Sequence, residues 1–191
     1  GDNPASLHLA CAATSDDALG AGLANAAHGG AKGVFVVDGW AWHNQGVTAV
    51  TELGASLAGM AAILRAGHAA EHDLGDLVSK TAITVALPAD MFAAATKLRA
   101  LRQSLAGLFD ALGLDPADQP RLVGRPSLRM ASLLDQDENI LRNTTAMLGG
   151  AIGGVDAMAA FGHDYLSAES EAGRRLARLT QVMMIAESGL A

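Results

Sequence analysis

A single cysteine, Cys11, excludes an intrachain disulfide and an all-cysteine zinc site, and the expected setting is a reducing cytoplasm. Basic residues are also scarce. The 13 Lys and Arg are outnumbered by 20 Asp and Glu, the formal net charge is −7, and aromatics make up 4% of the chain. With no basic run interleaved with aromatics, the electrostatic footprint of a nucleic-acid binder is missing. No apolar run is expected to reach the ~18 to 20 residues of a membrane span. The start, Gly1-Asp2-Asn3-Pro4, has neither the basic nor the apolar region of a signal peptide, and without an initiator Met it suggests an excised segment.

What is abundant is apolar mass. Half of the 191 residues are hydrophobic, only 17% are charged, and 22 are glycine, a balance that suits one folded α/β domain rather than a solvated tail. That length falls short of the ~250 residues of a complete (β/α)8 barrel.

Periodicity divides the chain into alternating strands and helices. Leu7 to Ala13 is a short apolar run, and Ser15-Asp16-Asp17 offers an N-cap for a helix to about Ala27. Gly33 to Val37 is apolar without alternation, as in a parallel strand buried on both faces, and it ends near Asp38-Gly39. Val50, Leu53, Leu57, Met60 and Leu64 predict a helix from Thr48 to a stop at Gly67. Ala82 to Leu87 predicts a third strand. Asp90 then caps a helix striped by Phe92, Ala95, Leu98, Leu101, Leu105, Leu108 and Leu112, with Gly113 as its stop. Arg121 to Gly124 is a fourth strand. Asp135 and Glu138 resemble a capping box opening a helix through Ile140, Leu141, Thr144, Met147 and Leu148. Val155 to Phe161 predicts a fifth strand, and Leu176, Leu179, Met183 and Ala186 stripe a last helix ending at Gly189. Strict alternation implies parallel strands and right-handed crossovers, in a barrel or a doubly wound sheet.

In either architecture function collects at the carboxyl ends of strands. There lie Asp38, Trp40, Trp42, His43 and Asn44 after the second strand, Arg125 and Ser127 after the fourth, and His163 and Asp164 after the fifth. Asp38, His43, Arg125 and His163 are candidates for an acid/base and anion-binding site, against the plainer account that loop residues are polar because they meet water. His68-Ala69-Ala70-Glu71-His72 matches the H-x-x-E-H zinc pattern, but follows the predicted helix stop and is expected to be a solvated loop without a metal. Gly149-Gly150 and Gly153-Gly154 precede a strand, the reverse of a dinucleotide loop, and are expected to end the helix after Leu148. The methionines are expected to be core filler.

Several of these segments carry a resemblance. Asp38-Gly39-Trp40-Ala41-Trp42-His43-Asn44-Gln45-Gly46 with Thr51-Glu52-Leu53-Gly54 is similar to the strand-end motif of adenosylcobalamin-dependent methylmalonyl-CoA mutases, and Leu64-Arg65-Ala66-Gly67 continues the match. Phe92 to Arg102 resembles that family's F-x-x-x-A-K-x-R-A-x-R helix, with Thr96 in place of an alanine. Asp135 to Thr144 resembles its D-P-x-x-N-x-x-R-x-T helix start, and Gly153-Gly154, Arg174 to Gln181 and Glu187-Ser188 complete the set. The resemblance implies the last five strand-helix units of a (β/α)8 barrel, with the early strands and the family's substrate-carboxylate arginine upstream of Gly1.

The departures point to the small, non-catalytic subunit. The catalytic chain's motif reads G-Y-H-M-Q-E-A-G, with a Tyr-His pair facing the cobalamin and the migrating group; aligned through Gly39 and Gly46, Trp40 and Ala41 stand there. His43 falls where the small subunits also have histidine, in D-G-x-x-Y-H-N-x-G, with Trp42 in place of the tyrosine. Trp40, Ala41, Trp42 and His43 are thus the family's strand-end positions, and no cofactor-binding residue is assigned among them. The polar H-T-Q-S-L-H-T strand that lines the CoA route corresponds to the apolar Val155 to Phe161, an expected filling for a barrel threading no pantetheine, and no D-x-H-x-x-G cobalamin-ligand motif is present. The resemblance therefore implies a heterodimer in which a catalytic mutase subunit holds adenosylcobalamin and the acyl-CoA. An independent barrel enzyme, or an acyl-CoA mutase of another substrate, is the alternative.

Overall fold

The computed structural model describes residues 7–9 and 35–187, so the expected first helix and Gly189 lie outside the described residues. The chain divides into two compact units, Gly1–Thr84 with Ala100–Leu122, and Val85–Arg99 with Val123–Ala191. Among the described residues the strands are β1 (Leu7–Leu9), β2 (Phe35–Asp38), β3 (Thr81–Leu87), β4 (Arg121–Pro126) and β5 (Ala157–Met158).

In the first unit the strand order is β1-β2-β3 and both pairings are parallel, Phe35 lying beside Leu7 and Thr81, and Asp38 beside Thr84. Phe35, Val36 and Val37 are all buried, as a strand covered on both faces requires. The chain then turns directly into a short helix, α1 (Gly39–Asn44), where a loop was expected, because Asp38 Oδ1 accepts the Ala41 amide at 3.0 Å and starts the helix.

Helix α2 (Ala49–Ala69) is capped by Thr48, whose Oγ1 accepts the Thr51 amide. Its buried face is Glu52, Ser56, Met60, Ile63 and Leu64 with two glycines; of the expected stripe Met60 and Leu64 are buried, Leu53 and Leu57 half-buried, and Val50 is 80% exposed. By length and a mean hydropathy of 1.2, α2 does reach what a membrane span needs, against the expectation. Met60, Ile63 and Leu64 on it are buried in the core. Gly67 is not the stop. It lies within α2 because a Cβ there would come 2.1 Å from Leu77 Cδ1 on the next helix, α3 (Leu74–Ser79). That helix is capped by Asp73 and buries Leu77 and Val78; of the stretch expected to be solvated loop, His68 and Ala69 belong to α2.

Helix α4 (Met91–Ala111) runs through both units. Its first-unit part buries Leu101, Leu105 and Phe109, the last absent from the expected stripe, and Leu112 is exposed. Gly113 follows at φ +71°, as a helix stop should.

In the second unit the end of β3, with Val85, Ala86 and Leu87 buried, is followed by β4 and β5 in that order. Asp90 Oδ1 accepts the Phe92 and Ala93 amides to start α4, which here buries Ala94, Ala95 and Leu98 and leaves Phe92 at the surface. Helix α5 (Glu138–Gly153) starts where expected, Asp135 Oδ1 accepting the Glu138 amide at 3.4 Å, but Leu141 faces solvent while Asn139 and Asn143 are buried. It does not end after Leu148. Gly149 and Gly150 stay helical because the neighbouring chain is too close for a side chain: a Cβ on Gly149 would come 2.7 Å from the Met91 carbonyl oxygen and 2.8 Å from Ala94 Cβ. Gly154, at φ +81°, is the stop. Strand β5 is two residues long rather than seven, paired through Val123 with Ala157 and Gly124 with Met158. Val155, Ala157, Met158, Ala160 and Phe161 are half-buried, and Asp156 and Ala159 are exposed. Helix α6 (Glu171–Ala186) is capped by Ser170, whose side chain accepts the Gly173 amide; it buries Met184 and exposes Leu179 and Met183 from the expected stripe.

Candidate functional site

At the carboxyl end of β2, beside the middle of β3, the polar side chains of the first unit are joined to one another. Thr84 Oγ1 donates to Asp38 Oδ1 at 2.5 Å and accepts the Trp40 amide at 3.3 Å. The same Asp38 oxygen caps α1, so this carboxylate holds both the neighbouring strand and the next helix. Gly39 is required between them, since a Cβ would lie 2.7 Å from both Ser56 Oγ and the Thr84 carbonyl oxygen. Along α1, the Asn44 side chain donates to the Trp40 carbonyl at 2.8 Å, and Trp40, Ala41 and Trp42 are half-buried.

His43 is buried and its Nδ1 lies 3.1 Å from Oε2 of Glu52, which is completely buried on α2. When Glu52 is ionised it can only accept, so Nδ1 then donates. Such a pair fixes the imidazole's tautomer and orientation, which in principle suits a general base, though here it also joins α1 to α2. Glu52 is the functional neighbour that sequence reasoning missed as a side chain. Its signal was the i+4 and i+8 spacing to Ser56 and Met60, which places it on the buried face.

The second unit has its own strand-end group. Arg125, at the end of β4, sits over the Phe161 ring at 5.3 Å, and Phe161 packs against Tyr165 at 5.1 Å between centroids. Ser127 is buried; its amide donates to the Leu87 carbonyl and its hydroxyl oxygen accepts the Arg129 amide. His163 faces Asp137 across 3.8 Å, while its Nδ1 is buried with no partner among the described residues. The cavity it lines, with Asn143, Phe161 and Thr180, is about 10 Å³, room for one water and no substrate. Asp164 Oδ2 accepts the Ser170 amide, and hydrogen bonds from Ser170 hold its carboxyl below the usual carboxylate range. Burial pushes the Tyr165 hydroxyl up.

Three buried polar residues fix these loops. Asn139 donates to the carbonyls of Ser132 and His163 and accepts the Ser132 amide, Asn143 donates to the Phe161 carbonyl, and Lys97 Nζ donates to the Ala86 carbonyl. Asn139 and Lys97 match the Asn and Lys of the resembled motifs, and all three here position backbone. Nothing at His68 and His72 forms the paired-ligand helix of the zinc motif: α2 ends at Ala69, and Glu71 takes φ +58°.

A family model for methylmalonyl-CoA mutase matches residues 31–191. The chain belongs to the methylmalonyl-CoA mutase family. Among curated proteins, the probable methylmalonyl-CoA mutase small subunits of Mycobacterium bovis and Mycobacterium tuberculosis are each 34% identical over 161 residues, 81% of this chain and 26% of theirs. The methylmalonyl-CoA mutase small subunit of Streptomyces virginiae is 35% identical over 158 residues, 82% of this chain and 26% of its own. The chain therefore spans about a quarter of the length of these relatives. Trp40 and Ala41 lie on α1, beside the Asp38–Thr84 contact.

Proposed function

We propose that this chain is part of a (β/α)8 barrel of a non-catalytic mutase subunit, which supports a catalytic partner in interconverting methylmalonyl-CoA and succinyl-CoA in the cytoplasm. The observation that carries this reading is what stands at the end of β2. Where the resembled catalytic chain holds a Tyr-His pair, Trp40 and Ala41 occupy a helix whose neighbouring polar groups bond to one another: Asp38 to Thr84, His43 to Glu52, Asn44 to the Trp40 carbonyl. The likeness to proteins named small subunits supports it further. The barrel is supported by the sequential strand order in each unit, without the reversal that marks a doubly wound sheet.

Adenosylcobalamin does not fit the chemistry of these positions. Ala41 offers only a methyl group and an amide already bonded to Asp38, and an indole has one donor and no acceptor. No step of the reaction is assigned to this chain. Its task in this reading is a stable fold for the partner, with adenosylcobalamin and acyl-CoA held by the catalytic subunit.

Equilibrium dialysis of the chain against adenosylcobalamin, and separately against methylmalonyl-CoA, tests the assignment. Neither is expected to be retained. Retention abolished by His43→Ala would instead favour an independent enzyme using the His43–Glu52 pair.

A further inference from the structure

Two surfaces of the second unit remain outside this account, and they match each other. The first is the segment that leads from β4 to α5. Leu134 is 99% exposed and Leu133 beside it is also exposed, with the carboxylates of Asp135 and Asp137 at the surface next to them. This is not a slack loop. The buried Asn139 side chain bonds both the amide and the carbonyl of Ser132, and the Ser132 hydroxyl oxygen accepts the Leu134 amide at 3.1 Å. A braced loop that presents two leucines to water loses little freedom on binding, the condition for a preorganised contact.

The second surface is the outward face of α6. Leu179, Val182 and Met183 are 43%, 50% and 54% exposed and lie at three- and four-residue spacing, so they form one stripe. Arg175 and Arg178 flank its N-terminal end, exposed and without an ion pair among the described residues. A contiguous apolar stripe with a charged rim is the usual composition of a protein contact, and scattered exposed leucines are not. The chemistry it calls for is an acidic segment with protruding apolar side chains. The loop at 133–137 is such a segment, and it is part of the same molecule.

We propose that the loop 133–137 of one copy docks on the outward face of α6 of a second copy, Leu133 and Leu134 meeting Leu179, Val182 and Met183 while Asp135 and Asp137 meet Arg175 and Arg178. The two patches differ, so the contact is heterologous and each copy offers both halves.

Sedimentation of the chain over a concentration series at low salt tests this, with circular dichroism confirming the fold of each variant. The mass should rise with concentration. Leu134→Ser, at a side chain already in solvent, should weaken association by about tenfold or more, as loss of an apolar anchor does. Asp135→Arg with Asp137→Arg should abolish association, and so should Arg175→Glu with Arg178→Glu. Mixing the two charge-reversed proteins should restore it, since the basic loop of one then faces the acidic helix of the other. A chain that stays monomeric at every concentration overturns the proposal. So does association that Leu134→Ser leaves unchanged, which would point to another surface such as a strand edge, and so does a mixture that fails to associate.

Discussion

Gly149→Ala should destabilise the protein even though alanine is the better helix former. Residue 149 lies inside α5, where replacing glycine by alanine normally gains about 1 kcal/mol. At Gly149 the new Cβ would lie 2.7 Å from the Met91 carbonyl oxygen, 2.8 Å from Met91 Cα and 2.8 Å from Ala94 Cβ. Two of these three are backbone atoms, which no rotamer change can move, so α4 and α5 must separate by several tenths of an ångström. Forcing a methyl group into a packed contact costs about 1–3 kcal/mol, and backbone obstruction puts this case in the upper half. The suitable reference is Gly54→Ala in α2, an exposed helix position where a Cβ would meet nothing within 4 Å. Subtracting one variant from the other cancels the helix preference and leaves the collision, about 2–3 kcal/mol. Gly150→Ala should fall between, because its Cβ would press on the flexible ends of Leu87 and Met158 at 2.8 and 3.0 Å. Urea unfolding by circular dichroism measures all three, read as midpoints at a common slope. A Gly149→Ala protein as stable as Gly54→Ala would refute the close approach of α4 and α5, and with it the reason for glycine in that helix.

Three further outcomes are expected. Glu52→Ala removes a buried partner of His43 and should cost about 1–3 kcal/mol in urea unfolding; combined with His43→Ala it should cost less than the sum of the two. Tyr165→Phe removes a buried hydroxyl that has no partner among the described residues, so stability should hold or rise by up to about 1 kcal/mol. Because the folded Tyr165 hydroxyl is raised, its contribution is full below the ordinary tyrosine range and is lost as pH rises through the folded value, so the variant should lose less stability than the parent at alkaline pH. The Asp164 carboxyl is lowered instead; its stabilisation is present above the ordinary aspartate range and is lost as pH falls through the folded value. Asp164→Asn should therefore flatten the acid limb of a stability–pH profile.

Strands and helices were legible where burial follows a simple period. β2 and β3 stand out as largely apolar runs that are mostly buried, and the cap at Asp90 bonds as its position suggests. The misreadings share a cause, contacts between elements distant in sequence. Gly67, Gly149 and Gly150 resemble helix stops because glycine disfavours helices, yet each is held in one by what packs against it. The α2 stripe was misplaced because Glu52 and Ser56, polar by type, belong to the buried face through His43 and the Glu52 carbonyl. Of the candidate site, the sequence indicated the strand-end positions of Asp38, His43, Arg125 and His163. It could not show that Asp38 bonds Thr84, 46 residues on, or that Arg125 stacks on Phe161.

The central claim is that this chain contributes no reacting group. The most direct test is the conversion of methylmalonyl-CoA to succinyl-CoA, with adenosylcobalamin supplied, by the purified chain alone and after addition of a catalytic mutase subunit. No turnover is expected from the chain alone, turnover is expected with the partner, and a folded His43→Ala or His163→Ala variant should leave the partner-dependent rate unchanged. Turnover by the chain alone, abolished by either alanine variant and unchanged when traces of partner are removed, would contradict the claim.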